Sequence, residues 1–261
     1  MIDLKGRRAL VGGSTQGIGR ACAMELARYG ADVTLAARDE NGLKEVHAAL
    51  PRNHGQTHGL IRVDFAEPQS LRREVDEFVA EAGPVHILIN NTGGPPAGAA
   101  LDAAPEDFLR AMTQHLLAGQ MLVQATVPGM KTASYGRIIN IISSSVVMPI
   151  RGLGVSNTVR GAMANWARTL AGELAPFGIT VNNILPGYTA TARLAKLIEG
   201  RAQRANSTPK QIERDLMASI PIGRFATPEE IASVVTFLAS PAASYVNGVN
   251  LPVDGGRLAV Q

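Results

Sequence analysis

The sequence has one cysteine, few aromatic residues and only a small net charge. Cys22 is the only thiol among 261 residues, which excludes an intrachain disulfide and a cysteine-ligated zinc site. Because it stands in an apolar stretch of helical character, we expect a buried thiol. Aromatic residues make up only 4% of the chain and the basic residues are scattered, which argues against a nucleic-acid partner. The histidines share no metal-ligand spacing, so we expect no metal.

Long apolar runs are also missing. None approaches the roughly 18 residues that a membrane-spanning helix needs. The first residues lack the apolar segment and cleavage site of a signal peptide. We therefore expect a cytoplasmic protein with no membrane partner. With 46% hydrophobic and 18% charged residues, the chain can bury a large core.

Short apolar runs alternate with segments of helical periodicity along almost the whole chain. Seven strands are predicted, at residues 8–11, 32–36, 58–63, 86–89, 137–142, 180–185 and 248–252. This alternation predicts a doubly wound α/β fold of the Rossmann type, a parallel sheet of about seven strands with helices on both faces. No repeat or linker divides the chain, so we expect one domain over residues 1–261.

Residues 192–221 interrupt the alternation with a helical, polar segment after the sixth strand. In open α/β sheets ligands bind near the carboxyl ends of the strands, where this segment begins. Long excursions from a compact domain are often functional. We therefore expect a substrate lid, although a plain helical connection fits the same pattern.

A glycine-rich turn joins the first strand to the first helix. Glycine permits positive φ and a close backbone approach, and a helix N-terminus presents free N–H groups to a pyrophosphate. A turn of this kind can be purely structural, but its place at the first strand–helix junction favours a dinucleotide site. The residues expected to contact the dinucleotide here are Gly13, Thr15, Gln16, Gly17, Ile18 and Gly19.

The end of the second strand indicates which dinucleotide is preferred. An NAD site would place an acidic residue about twenty positions after the glycines, to bind the ribose hydroxyls. Here Ala37 is followed by Arg38, and a guanidinium binds a 2′-phosphate through paired hydrogen bonds. The sequence therefore favours NADP(H) over NAD(H), although Gln16 adds no second positive charge and a solvated Arg38 fits the same position.

These motifs resemble those of the short-chain dehydrogenase/reductases, particularly the branch that contains 3-oxoacyl-acyl-carrier-protein reductases. The glycine spacing matches the family's cofactor turn, with Gly12 where the family usually has threonine. The resemblance implies further cofactor contacts: Asp64 and Phe65 at the adenine, Asn91, Thr92 and Gly93 after the fourth strand, and Pro186, Gly187, Thr189 and Thr191 beside the nicotinamide. It also implies a homotetramer and a small carbonyl or thioester substrate.

The same resemblance assigns four catalytic positions, of which this chain keeps one. Ser143 stands where the family has the serine that holds the substrate carbonyl. Ser156 replaces the tyrosine acid/base, Arg160 replaces the lysine, and His115 replaces the asparagine of the water relay. A serine hydroxyl is far less acidic than a phenol of pKa about 10, so Ser156 is a poor proton donor that can still bind a substrate oxygen. Arg160 keeps a positive charge that can hold the nicotinamide ribose.

His115 is the candidate for the missing acid, because histidine titrates near neutrality and can donate a proton directly or through water. A histidine bonded within the helix packing fits the position as well. Tyr188 is a further candidate donor, or else a wall of the substrate pocket. The remaining histidines are expected at the surface or in loops: His47, His54, His58 and His86.

Two functions are compatible with these residues. The favoured one is an NADP(H)-dependent oxidoreductase that reduces a carbonyl, such as a 3-oxoacyl group, or an activated double bond by hydride transfer. The alternative is a nucleotide-binding sensor or scaffold without turnover. It is motivated by the three substituted catalytic positions.

Overall fold

The computed structural model describes residues 2–260, which form one parallel sheet with helices on both faces. Its strands are β1 (Arg8–Gly12), β2 (Asp32–Ala37), β3 (Gly59–Arg62), β4 (Ile87–Asn90), β5 (Gly136–Ile141), β6 (Ile179–Pro186) and β7 (Asn250–Val253). They lie in the order β3-β2-β1-β4-β5-β6-β7, and each neighbouring pair is parallel. The predicted doubly wound α/β fold is confirmed, and every predicted strand overlaps an observed one.

The helices divide between the two faces. They are α1 (Gly17–Arg28), α2 (Glu40–Ala49), α3 (Pro68–Ala82), α4 (Pro105–Met112), α5 (Ala118–Thr132), α6 (Gly154–Leu174), α7 (Ala192–Arg204), α8 (Pro209–Ala218) and α9 (Pro228–Ala239). A π-helical turn, Thr113–Leu117, joins α4 to α5. No helix within residues 2–260 is both long and apolar enough to cross a membrane.

Alternate residues of the strands belong to two separate hydrophobic clusters, one on each face of the sheet. Ala9 and Val11 of β1 pack with α1 and α9 on one face. Leu10, between them, packs with α3, α5 and α6 on the other. Successive side chains of a strand point to opposite faces, so a strand buried on both sides is apolar throughout. Cys22 belongs to the first cluster, and burial raises the pKa of its thiol to about 12, which confirms the expected buried thiol.

A row of asparagine side chains crosses four strands of the sheet. Asn90 of β4 donates to the Oδ1 of Asn140 on β5, Asn140 donates to Asn183 on β6, and Asn183 donates to Asn250 on β7, each at 2.8 Å. The four residues are neighbours in strand register. Because buried amides are costly unless they are hydrogen-bonded, this row fixes the register of the strands that carry the site.

His58 lies in the loop before β3, one of the two expected positions, but it is not at the surface. His58 is buried, its Nδ1 accepts a hydrogen bond from the Val33 N–H at 3.1 Å, and its Nε2 lies 2.9 Å from the Pro51 oxygen. Burial lowers its pKa. His58 therefore ties the loop before β3 to β2 in place of a backbone bond.

Candidate functional site

Two adjoining cavities open at the carboxyl ends of the central strands. The outer cleft, about 480 Å³, lies over the start of α1 and the ends of β1 and β2. The inner pocket, about 180 Å³, lies over the ends of β5 and β6 and the start of α6. Both cavities are bordered by Ile18, Asn91, Thr92, Thr191 and Arg193, so a single extended ligand can occupy the two.

The glycine-rich turn forms the floor of the outer cleft. Gly13 and Gly17 adopt positive φ values of 58° and 55°, which only glycine takes up without strain. A Cβ on Gly19 would lie 2.2 Å from the Gly13 oxygen, so Gly19 supports the turn from behind and does not line the cleft. Asn91 Nδ2 donates to the Gly12 oxygen at 3.1 Å and ties the turn to the end of β4.

The start of α1 offers unpaired donors to the outer cleft. Gln16 occupies the N-cap position, but its side chain makes no capping hydrogen bond. The N–H groups of the first turn therefore lack a side-chain partner. Together with the helix dipole, such groups form a site for an anion such as a pyrophosphate.

Arg38 and Asp64 lie at the far end of the outer cleft. Arg38 Nη1 is 3.5 Å from Asp64 Oδ2, and the Arg38 side chain is 70% exposed. This loose surface pair leaves the guanidinium free to turn toward a ligand. The neighbouring Asp39 carboxylate accepts the Gly42 N–H as the N-cap of α2.

Serine hydroxyls line the inner pocket. Ser143 follows β5, and its Oγ accepts the Ser145 N–H at 3.0 Å, so the hydroxyl hydrogen remains available to a ligand. Ser156 lies in the first turns of α6, is 7% exposed and borders the same pocket. Ser143 and Ser156 thus each bring to the pocket a hydroxyl group that can donate to a carbonyl oxygen.

Arg160 lies one helical turn after Ser156 and is also buried. Its Nη1 donates to the Ile141 oxygen at 2.9 Å. Burial, together with the nearby positive charge of Arg193, lowers its pKa to about 10. It therefore remains a cation at neutral pH, at the border of the inner pocket.

His115 does not line either cavity. It lies in the π-helical turn, 2% exposed, where Nδ1 is hydrogen-bonded to Thr92 Oγ1 and Nε2 has no partner. Burial, and the positive charges of Arg160 and Arg193, lower its pKa to about 2. Of the two interpretations of His115, the geometry favours the histidine bonded within the helix packing: it borders a small cavity of about 10 Å³ and stays neutral at neutral pH.

Tyr188 and Arg257 also border the inner pocket. The Tyr188 ring meets Phe225 edge to face at 6.2 Å, and the Arg257 guanidinium carbon lies 5.0 Å from the Tyr188 ring centroid. Sequence reasoning missed Arg257. The available signal was its place directly after Gly255 and Gly256, whose positive φ values turn the chain back toward the site.

Helix α7 is linked to the loop after β4 by Arg193. Its guanidinium donates to the Gly94 oxygen at 2.9 Å and the Pro95 oxygen at 3.4 Å. A Cβ on Gly94 would lie 2.4 Å from Arg193 Nη2, so glycine is needed for this approach. The link spans the border between the two cavities.

The predicted site residues fall into two groups with two exceptions. Those bordering the outer cleft are Gly13, Thr15, Gln16, Gly17, Ile18, Arg38, Asp64, Phe65, Asn91, Thr92, Gly93 and Thr191. Those bordering the inner pocket include Ser143, Ser156, Arg160, Pro186, Gly187 and Thr189. Gly19 and His115 lie outside both. Within residues 2–260 no cluster of three or more histidine, cysteine or acidic side chains could hold a metal ion.

Comparison with known proteins gives matches along nearly the whole chain. Residues 13–257 match the family model described as Enoyl-(Acyl carrier protein) reductase. A 3-oxoacyl-[acyl-carrier-protein] reductase of Pseudomonas aeruginosa is 32% identical over 98% of both chains. A cyclohexanol dehydrogenase of Rhodococcus sp. is 31% identical over 98% of this chain and 97% of its own. The crystal structure of L-sorbose reductase from Gluconobacter frateurii, complexed with NADPH and L-sorbose, superimposes with a TM-score of 0.92 at 31% identity, covering 100% of this chain and 99% of that one.

Proposed function

We propose that this chain, which belongs to the short-chain dehydrogenase/reductase family, is an NADP(H)-dependent oxidoreductase. It reduces a carbonyl group or an activated double bond. The observation that carries the proposal is the continuity of the two cavities. The outer cleft has the donors for a dinucleotide, and the inner pocket has hydroxyl donors for a substrate oxygen. A ligand filling the cleft therefore ends beside Ser143 and Ser156.

The outer cleft fits an NADP molecule on three observations. The first turn of α1 has N–H groups without a side-chain cap, which suits the pyrophosphate. The glycine turn leaves no side chain in the way. Arg38 is exposed and only loosely paired, which suits a 2′-phosphate. The NADPH bound to the Gluconobacter relative supports this choice of cofactor.

The bound nicotinamide supplies the hydride, and the protein orients the reactants. Ser143 and Ser156 donate hydrogen bonds to the substrate oxygen and stabilise the negative charge that develops on it. Arg160 binds the ribose hydroxyls and adds positive charge at the border of the pocket. Its bond to the Ile141 oxygen holds the guanidinium in place.

Water supplies the proton in this proposal. Arg160 keeps its proton at neutral pH because its pKa of about 10 lies above that range. His115 is neutral and outside the inner pocket. A water molecule held by Ser156 therefore protonates the product. This route is slower than protonation by a phenol, so it favours a substrate whose anion is already delocalised.

Residues 192–221 act as a lid in this proposal, with Arg193 as its contact to the loop after β4. The chain works as one domain, and its family resemblance supports a homotetramer in the cytoplasm with a small carbonyl or thioester substrate. The sensor or scaffold alternative is not favoured, because the relatives are named for reductase and dehydrogenase activities.

The proposal is tested by NADPH consumption with ketones, quinones and enoyl thioesters, using NADPH deuterated at C4. Deuterium in the product demonstrates hydride transfer. Ser143→Ala should lower kcat/KM by about 10- to 1,000-fold, the range for one donor to a developing oxyanion. Ser244→Ala, exposed and outside both cavities and the lid, is the matched control. NADPH binding without turnover on any substrate would instead support the sensor.

A further inference from the structure

Arg257 is a buried cation that makes no ion pair or side-chain hydrogen bond with the described residues. It lies in the short helical turn Arg257–Ala259 after β7 and is 7% exposed. Its Nε has no hydrogen-bond partner among the described residues, and its side chain borders the inner pocket. Burying an unpaired guanidinium is costly, so the position calls for an anion from outside the fold.

The described lining of the inner pocket has positive side chains and no negative ones. Arg160, Arg193 and Arg257 border it, and none of the described residues that border it is an aspartate or glutamate. Arg160 and Arg193 donate to main-chain oxygens of Ile141, Gly94 and Pro95. The buried Nε of Arg257, by contrast, donates no hydrogen bond to the described residues.

The position of Arg257 separates it from the dinucleotide. The outer cleft is bordered by Arg38 and Arg193 but not by Arg257. Arg257 instead lies against Tyr188, in the wall that faces the substrate space. An anion bound there is therefore part of the substrate and not a phosphate of the cofactor.

We infer that Arg257 binds a carboxylate of the substrate, so the natural substrates are small organic acids that carry a reducible carbonyl or conjugated double bond. This inference rests on the proposed function. A planar guanidinium forms paired hydrogen bonds with a carboxylate, which fixes the orientation of the bound acid as well as its affinity. The pocket, about 180 Å³, accommodates a compact acid whose apolar part packs on Ile150 and Leu153.

The test compares benzoylformate with its methyl ester, which has the same ketone and no charge. Binding to the protein–NADP⁺ complex, where no reduction occurs, is measured by ligand-observed NMR. The wild-type protein should bind the acid about 10- to 100-fold more tightly than the ester, as expected for a hydrogen bond to a charged group. Arg257→Gln should abolish this preference and Arg257→Lys should keep part of it. Arg28→Gln, an exposed arginine at the end of α1, should keep all of it.

The inference would be overturned by no binding of the acid to the wild-type protein, by equal binding of acid and ester, or by an unchanged preference in Arg257→Gln. Displacement of benzoylformate by inorganic phosphate at lower concentration than by acetate would overturn the carboxylate assignment. The comparison of acid with ester needs no variant, so misfolding of Arg257→Gln leaves the test intact. A protein that binds the acid but transfers no hydride from NADPH contradicts the proposed function and not the carboxylate site.

Discussion

Arg160 Nη1 donates a 2.9 Å hydrogen bond to the main-chain oxygen of Ile141, the last residue of β5. This bond attaches α6 to the end of the strand that leads into Ser143. Arg160 and Ser156, one helical turn apart on α6 and both buried, are the residues that the family resemblance aligns with a catalytic lysine and tyrosine.

Replacing Ser156 and Arg160 by the tyrosine and lysine that the family resemblance implies should raise the rate of carbonyl reduction. In Ser156→Tyr/Arg160→Lys, a phenol replaces a much weaker acid; each pKa unit of improved match is worth about 1.4 kcal/mol in the proton-transfer equilibrium, and part of this appears in the rate. We expect at least about a tenfold gain in kcat for a simple ketone. Ser156→Tyr alone is the control and should gain less. An unchanged kcat in a folded double variant that still binds NADPH would count against the assigned roles.

His115 should make the fold sensitive to acid. Its pKa is about 2 in the folded protein, against an ordinary value of 6.5, so the unfolded chain binds the proton first. Its contribution to the free energy of unfolding is complete above pH 6.5 and falls toward pH 2, by about 1.4 kcal/mol per pH unit. Urea unfolding of His115→Asn between pH 4 and about 8 should show a shallower slope than the wild-type protein. His54→Asn, an exposed control, should match the wild type; equal slopes for His115→Asn would refute the buried neutral state.

Arg193 should control access to the two cavities. Arg193→Gln loses the bonds to Gly94 and Pro95, so α7 should open more often. We expect faster hydrogen exchange in Ala192–Arg204 and about tenfold faster NADPH dissociation. Lys196→Gln, on the exposed side of the same helix, serves as the control. Unchanged exchange and dissociation in Arg193→Gln would show that this segment is a fixed connection.

Asn140 should be essential to the stability of the sheet. Asn140→Leu leaves the Asn90 donor and the Asn183 acceptor buried without partners. At about 1–3 kcal/mol for each such group, we expect the free energy of unfolding to fall by about 2–5 kcal/mol. Asn53→Leu, in an exposed loop, should change it by less than about 0.5 kcal/mol. A loss for Asn140→Leu no larger than this control would contradict the role of the asparagine row.

The fold could be predicted because its signals are local. Apolar runs and glycine turns identify each strand, and the strand–helix alternation fixes the parallel topology. The strand ends differ by one or two residues because pairing with a neighbour, and not the strand's own sequence, decides where a strand stops. For example, β7 begins at Asn250, which pairs with Asn183 of β6, and not at the predicted residue 248.

The site was predicted only in part, because burial and charge are properties of the folded chain. The sequence identified the residues of the glycine turn and the two serines. It could not show that His115 is hydrogen-bonded to Thr92 and buried, with the positive charges of Arg160 and Arg193 adding to the effect of burial, which keeps it neutral at neutral pH. It also could not show that Arg257, about a hundred residues after Ser156, borders the same pocket.

Calorimetric titration shows whether the outer cleft binds NADP(H), on which the proposed function depends. NADPH and NADH are titrated into the wild-type protein and into Arg38→Gln. We expect NADPH to bind the wild-type protein at least about tenfold more tightly than NADH, and Arg38→Gln to lose that difference while its affinity for NADH is unchanged. A wild-type protein that binds neither nucleotide would contradict the account.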